Sequence, residues 1–152
     1  MFKKILVPVD FTPVTEKVIS TAVELGKCFS SEIHLLYVVE PYEYPFVATA
    51  DGILVPPEDL TVLEEVNERL KKDASEQIKK YEEKVRSEGC YVSSHILEGE
   101  PFEEILDFAD RNSVDLIIVG AHGKSGLRRL LIGSVSEKVV RKSKVPVLVV
   151  RV

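Results

Sequence analysis

Residues 114–126 read Val-Asp-Leu-Ile-Ile-Val-Gly-Ala-His-Gly-Lys-Ser-Gly, and this stretch points to the fold class. It begins as a short, almost wholly apolar run and passes directly into a glycine-rich loop at Gly120. A run of this length without alternating polar residues predicts a strand that is buried on both faces. Because such strands occur in parallel sheets covered by helices, the stretch predicts an α/β protein with a functional loop after this strand.

The remainder of the chain alternates between similar strands and amphipathic helices. Further buried strands are predicted at residues 3–9, 32–39, 91–97 and 146–152. Helices are predicted after Thr12 with Pro13 in the first position, at 58–88 with Val66, Leu70, Ile78 and Val85 among its inward residues, after Pro101, and at 134–143. Residues 40–57, which contain four prolines, are predicted to be irregular.

The order βαβαβαβαβ defines the expected architecture. Right-handed crossovers between parallel strands give an open five-stranded parallel sheet with helices on both faces. The 152 residues, of which 45% are hydrophobic and 30% charged, suit a single globular domain over residues 1–152. Ligands of such sheets bind beyond the carboxyl ends of the strands, where the strand order reverses.

Cysteine content and hydropathy bear on the compartment. Cys28 and Cys90 are too few for a disulfide or metal framework, so we expect two reduced thiols. No apolar run approaches the roughly 20 residues that span a bilayer, and the N-terminus enters a strand and not a signal-peptide core. We therefore expect a cytoplasmic protein without a membrane partner.

The charge is unevenly distributed along the chain. The formal net charge is −5, yet residues 120–152 contain eight lysines and arginines against one acid, Glu137. An acidic protein with a basic C-terminal quarter favours a local anion site over a general nucleic-acid surface, so no nucleic-acid partner is expected. The alternative is that these basic residues form the solvated face of a helix.

A glycine loop and a helix start provide the candidate anion site, with the spacing Gly120-x2-Gly123-x9-Gly133-Ser134. Glycines let the backbone approach a ligand, and successive N–H groups in such a turn form an anion-binding concavity. The start of the helix adds free N–H groups and a partial positive charge, and the serines at 134 and 136 add hydroxyls. The spacing therefore predicts a phosphate site.

Alternative roles stay open at several of these positions. Ser134-x-x-Glu137 also fits a capping box, in which the serine serves only its own helix. Asp10 follows the first strand, where its carboxylate would bind a ribose or adenine or would cap the next helix beside Thr12. His122 lies in the glycine loop and is expected to contact the ligand through its backbone.

Other familiar motifs are missing from the sequence. The glycine loop lacks the G-x-x-x-x-G-K-[ST] spacing of a P-loop, and residues 10–13 lack the glycines of a dinucleotide fingerprint. His34 and His95 lie in predicted strands and are assigned structural roles, so the three histidines are not expected to form a metal site.

The glycine motif and its flanking strands resemble the universal stress protein family, in its ATP-binding subgroup. Residues 3–10 are similar to the family's opening strand, residues 114–125 to its fourth strand and loop, and residues 143–150 to its closing strand. The resemblance implies a Rossmann-like sandwich of the adenine nucleotide alpha-hydrolase-like kind, a homodimer, and ATP as the ligand, with Mg²⁺ or Mn²⁺ held by the phosphates. It implies adenine and ribose near Asp10 and Val38. The expected nucleotide-binding residues are Pro8, Val9, Asp10, Val38, Val119, Gly120, His122, Gly123, Gly133, Ser134, Val135 and Ser136.

The expected function is nucleotide-responsive regulation in stress tolerance. Lys124, Arg128 and Arg129 would stabilise phosphate charge, but no residue is an obvious catalytic base, so hydrolysis is expected to be slow or absent and no catalytic residue is assigned. The alternatives are a nucleotide-free binding module of the same fold, a weak ATP hydrolase, a nucleotidyl-transfer enzyme, and a phospho-acceptor domain that uses Asp10.

A homodimer is also expected from the last strand. Residues 146–152 are almost wholly apolar. If that strand lies at the edge of the sheet, its unpaired N–H and C=O groups invite pairing with a second copy.

Overall fold

A computed structural model describes residues 1–41, 46–55, 61–121 and 133–151. The strands in chain order are β1 (Lys4–Pro8), β2 (Glu32–Val39), β3 (Val47–Ala48), β4 (Leu54–Val55), β5 (Tyr91–Glu98), β6 (Leu116–Gly120) and β7 (Val147–Val150). Five of them form one sheet in the order β5-β2-β1-β6-β7, and every pairing within it is parallel. The predicted open five-stranded parallel sheet is confirmed.

In the part of the chain that the structure describes, four helices cover the two faces of this sheet: α1 (Pro13–Phe29), α2 (Thr61–Ser87), α3 (Pro101–Arg111) and α4 (Ser134–Lys142). One hydrophobic cluster holds residues of α1 and α2, such as Ile19 and Ile78, against one face. A second cluster holds residues of α3 and α4, such as Phe108 and Val139, against the other. The described helices therefore lie on both faces of the sheet, as the alternation of elements predicted.

The central strand β1 shows why the apolar runs have no polar alternation. Ile5, Leu6 and Val7 are all fully buried. Ile5 and Val7 belong to the cluster under α1 and α2, whereas Leu6 belongs to the cluster under α3 and α4. Because successive side chains of a strand point to opposite faces, a strand covered on both faces has to be apolar throughout.

The direction of winding reverses at β1. From β1 the chain passes through α1 to β2 on one side, and from β5 it passes through α3 to β6 on the other side of β1. The carboxyl ends of β1 and β6 are therefore neighbours at the topological switch point, where open α/β sheets form their ligand crevice.

Two local predictions were wrong. Residues 40–57 are not irregular throughout, because β3 and β4 form a two-stranded antiparallel hairpin in which Val47 pairs with Val55. The turn of this hairpin contains Gly52 at φ +77°, a backbone conformation that glycine adopts without steric cost. Strands of two residues are too short to leave a periodic signal, and so the pattern of the sequence did not indicate them.

The inward face of α2 is also shorter than predicted. Val66 and Leu70 are each 39% exposed, whereas Ala74, Ile78 and Val85 are buried. The 27 residues of α2 make a helix about 40 Å long, but the eight-residue strand β5 beneath it spans only about 27 Å. The sheet cannot cover the whole helix, and so the first turns of α2 extend beyond it.

Candidate functional site

A cleft of about 780 Å³ opens at the carboxyl edge of the sheet, where β1 and β6 are neighbours. It brings together every expected nucleotide-binding residue that the structure describes. These are Pro8, Val9, Asp10, Val38, Val119, Gly120, Gly133, Ser134, Val135 and Ser136. His122 and Gly123 lie outside the described residues, as do Lys124, Arg128 and Arg129.

The N-terminus of α4 forms one wall of this cleft. Gly133 is the N-cap residue, and its own N–H donates to the carbonyl of Ala121 at 2.9 Å. The first hydrogen bond of the helix runs from the N–H of Glu137 to the carbonyl of Gly133. The N–H groups of residues 134–136 precede it and have no carbonyl within the helix to bind. With the helix dipole, these three N–H groups suit an anion at the cleft wall.

The structure rules out one alternative for Ser134 and gives the Ser136 hydroxyl a partner within the protein. Gly133 and not Ser134 is the N-cap, and Glu137 pairs with Arg141 at 2.6 Å, so the capping-box alternative is wrong. The hydroxyl of Ser136 donates to the carbonyl of Gly120 at 2.8 Å and thereby ties α4 to the end of β6. Since that hydrogen is committed, Ser136 offers an anion its backbone N–H.

Asp10 lines the cleft, and its carboxylate also accepts hydrogen bonds from the start of α1. Its Oδ1 accepts three hydrogen bonds, from the N–H of Thr12 at 3.1 Å, the hydroxyl of Thr12 at 2.7 Å and the hydroxyl of Thr15 at 3.1 Å. Thr12 is the N-cap of α1 and makes no capping bond with its side chain. Asp10 orders the start of α1 through Thr12 and the Thr15 hydroxyl, but none of these three bonds comes from an N–H group of the first turn, so it is not a helix cap as the alternative proposed. These bonds hold the carboxylate in place, and they all use the same oxygen.

Gly120 has a packing role that the sequence did not reveal. A Cβ at this position would lie 2.8 Å from Cγ1 of Val14 and 3.3 Å from Cγ2 of Val18. The first of these distances is shorter than real Cβ contacts, so the glycine allows α1 to cross directly over the end of β6. Because both valines line the cleft, the same close approach shapes its floor.

Several lining residues were missed by the sequence reasoning. Tyr37 lines the cleft and stacks on Phe11, with ring centroids 4.5 Å apart. Phe11 itself has φ +57°, which is costly for a residue with a side chain and is offset here by its packing. The signal for Tyr37 was its place at the carboxyl end of a predicted strand. Further missed lining residues are Val14, Thr15, Val18, Leu36, Val39, Glu40, Pro41, Leu70, Pro101 and Ile105.

The arrangement defines what the cleft can hold. An apolar surface is formed by valines at the ends of β2 and β6 and just after β1, namely Val38, Val39, Val119 and Val9. Asp10 and Glu40 supply carboxylates, and the start of α4 supplies N–H donors. Within the described ranges, no group of three or more His, Cys, Asp or Glu side chains is placed to hold a metal ion. Across those same ranges, no helix is both long and apolar enough to cross a bilayer.

The fold and the cleft together define a doubly wound α/β protein with its ligand crevice at the switch point. The model of the universal stress protein family matches residues 1–151. Universal stress protein MJ0531 of Methanocaldococcus jannaschii is 36% identical over 99% of this chain and 83% of its own length. Universal stress protein MJ0577 of the same organism is 35% identical over 99% of this chain and 96% of its own length. This chain therefore belongs to the universal stress protein family.

Solved structures agree with this assignment. The structure of MJ0577 superposes with a TM-score of 0.80 at 31% identity, over 99% of this chain and 96% of that one. A universal stress protein from Archaeoglobus fulgidus, solved in complex with dAMP, superposes with a TM-score of 0.65 over 99% of this chain and 100% of that one. Its identity to this chain is 22%, a level at which the likeness shows the shared fold alone.

Proposed function

We propose that this universal stress protein belongs to the ATP-binding subgroup and binds ATP in the cleft between β1 and β6. The observation that carries the proposal is that residues 134–136, whose N–H groups have no carbonyl partner within α4, line the same cleft as the valine surface and Asp10. A ligand that uses both the N–H donors and the apolar surface is an anion joined to a flat apolar group, as in a nucleotide. The proposed role is regulatory, in stress tolerance, for a single-domain cytoplasmic homodimer.

Each part of the nucleotide has a proposed partner. The phosphates bind the first-turn N–H groups of α4 together with Gly133 and the loop residues His122 and Gly123. The ribose or adenine hydrogen-bonds to the Asp10 carboxylate, whose Oδ2 takes no part in the three bonds to Thr12 and Thr15. The adenine packs on the apolar surface that Val9, Val38 and Val119 form with Pro8. Mg²⁺ or Mn²⁺ is held by the phosphates.

The choice of adenine rests on the family and not on the cleft. Helix N–H groups recognise phosphate, and an apolar surface accepts any planar base. The resemblance to the ATP-binding subgroup supports adenine, and the dAMP complex of the Archaeoglobus fulgidus protein supports an adenine nucleotide in this fold. GTP is therefore the informative competitor in any binding experiment.

Turnover is proposed to be slow or absent. Among the described residues that line the cleft, Asp10 and Glu40 are the only carboxylates, and Oδ1 of Asp10 already accepts three hydrogen bonds. Hydrolysis needs a positioned water and a group that orients it. We expect phosphate release far below the roughly 1 s⁻¹ of a slow kinase. Release at or above that rate would favour the hydrolase alternative.

The phosphate end is tested with Ser134→Glu and its neutral control Ser134→Gln, by calorimetric titration with ATP, AMP and GTP, with and without Mg²⁺. A glutamate in the first turn interacts favourably with the helix dipole, so the folded state tolerates it. The same charge repels a bound triphosphate, and we expect ATP affinity to fall at least tenfold in Ser134→Glu alone. Equal affinities in the two variants would contradict phosphate binding at α4.

The nucleoside end is tested with Asp10→Asn. An asparagine keeps an oxygen that can accept the three hydrogen bonds from Thr12 and Thr15, but it removes the negative charge. We therefore expect weaker binding of both AMP and ATP. The control is Asp115→Asn, because Oδ2 of Asp115 accepts the N–H of Lys4 at the start of β1, at the end of the strands opposite to the cleft.

A stability measurement on the wild type tests whether any nucleotide binds. If ATP at 100 times its expected dissociation constant fails to add about 2.7 kcal/mol to the free energy of unfolding, the nucleotide-free alternative is favoured.

A further inference from the structure

A second polar site lies between β2 and β5, away from the nucleotide cleft. His34 lies opposite Ser93 in the register of the two strands, and His95 lies two residues further along β5. Nδ1 of His34 is 3.1 Å from Nε2 of His95. The hydroxyl oxygen of Ser93 is 3.1 Å from the first nitrogen and 3.2 Å from the second. Three atoms with lone pairs therefore form a nearly equilateral triangle.

The surroundings of this triangle are largely apolar on one side. The Phe108 ring of α3 lies 4.7 Å from the His95 ring and 5.8 Å from the His34 ring, between centroids. His34 is 7% exposed. The carboxylate of Glu32 lies 3.0 Å from its other nitrogen, Nε2, yet this buried nitrogen makes no aligned hydrogen bond.

The pKa of each imidazole lies below its usual value. Burial lowers the pKa of His34, an effect that nearby Lys4 reinforces and Glu32 opposes. Burial lowers the pKa of His95 as well, and the neighbouring His34 lowers it further, whereas Glu82 and Glu32 oppose the shift. An imidazole binds a metal ion through a nitrogen lone pair.

We propose that His34, His95 and Ser93 bind a divalent transition-metal ion of the Zn²⁺ class. The ligands are Nδ1 of His34, Nε2 of His95 and the hydroxyl oxygen of Ser93, and water completes the coordination. In a tetrahedral zinc site with bonds of about 2.0–2.1 Å, neighbouring ligand atoms lie about 3.3 Å apart. The triangle has nearly these dimensions. The proton shared along the His34–His95 contact moves to Nδ1 of His95, so both rings stay neutral.

Glu32 has the position of an orienting carboxylate in this site. A histidine that binds a metal through one nitrogen usually donates the N–H of the other nitrogen to a carboxylate or carbonyl. A small rotation of the His34 ring aligns its Nε2–H with Glu32, which is already within 3.0 Å. No third His, Cys, Asp or Glu joins the pair among the described residues. The site therefore has three protein ligands and keeps a position open for water.

The experiment is a Zn²⁺ titration of the nucleotide-free protein by calorimetry, with Mg²⁺ as the comparison ion. A Cys28→Ser background removes the exposed thiol. We expect one Zn²⁺ per chain and no Mg²⁺ binding, since imidazole ligands favour zinc. We expect His95→Gln to weaken zinc binding at least tenfold and Glu32→Gln to weaken it about tenfold. Glu32 is half exposed, so its substitution does not threaten the fold.

Serine variants provide a matched control on one strand. Ser93→Ala removes a proposed ligand and should weaken zinc binding. Ser94→Ala should leave it unchanged, because the Ser94 hydroxyl bonds to Glu82 of α2 on the opposite face of the sheet. Ring nitrogen NMR should show Zn²⁺ shifting Nδ1 of His34 and Nε2 of His95. Zinc affinity that survives in His95→Gln, or no saturable binding up to millimolar Zn²⁺, would overturn the proposal and leave a hydrogen-bonded histidine pair.

Discussion

Gly120 ends β6 where α1 crosses the sheet, and its missing side chain sets how closely the two elements approach. The sequence reasoning assigned this glycine to a ligand loop because it follows a buried strand. Its nearest constraint is instead Val14, which a Cβ would meet at 2.8 Å. Both roles are compatible, since the close approach forms the floor of the cleft.

Gly120→Ala should destabilise the fold by about 1–3 kcal/mol, because a β-branched valine of α1 has few rotamers with which to avoid the new methyl group. Urea unfolding measures the change. The control is a double-mutant cycle with Val14→Ala, in which the smaller side chain should relieve part of the penalty. Strictly additive effects of the two substitutions would mean that the contact with Val14 is not the cause.

The two cysteines should differ in reactivity. Cys28 is exposed, whereas Cys90 is buried, and burial raises the pKa of the Cys90 thiol and so lowers its thiolate fraction. A thiol-specific reagent should modify one group rapidly in the native protein and the second only on unfolding. Cys28→Ser should abolish the fast phase and Cys90→Ser should retain it. Two fast phases would contradict the burial of Cys90.

At the scale of elements, α2 shows how a helix divides between the core and solvent. The periodic apolar residues of this helix do not reveal where the sheet beneath it ends. Val85 is fully buried, yet Val66 on the same helix is 39% exposed. The length of β5 decides the difference, because only the second half of α2 packs on the strands.

These two valines offer a matched pair of substitutions. Val85→Ala should cost about 2–3 kcal/mol of stability, from lost burial and the cavity that remains. Val66→Ala should change stability by no more than about 0.5 kcal/mol. Chemical denaturation of both variants compares one chemical change at two depths. Similar costs at the two positions would show that the first turns of α2 are covered in solution.

At the scale of the whole molecule, the sheet has two edge strands, β5 and β7. β7 is the apolar edge, with Leu148 36% exposed and its neighbours Val147 and Val149 half-buried. An apolar edge strand with unpaired backbone groups is a template for a second copy. The homodimer therefore stays a prediction about this strand.

Light scattering at micromolar concentration should give twice the mass of one chain for the wild type. Leu148→Lys should shift the mass towards one chain, because a charged edge side chain opposes apolar pairing. Tyr91→Lys is the matched control, since Tyr91 is 78% exposed at the start of the other edge strand, β5. If only Tyr91→Lys dissociated the dimer, the interface would lie on β5, and the prediction for β7 would be wrong.

The sequence by itself determined the fold class and the helix start at one end of the cleft. Apolar runs of strand length report burial on both faces, and a helix start exposes its own N–H groups whatever packs around it. Both are local properties, readable from consecutive residues. Only the tertiary structure decided that Gly120 packs closely against Val14 and that the first turns of α2 extend beyond the sheet. It also decided that His34 meets His95, 61 residues away, because that contact depends on the register of β2 with β5.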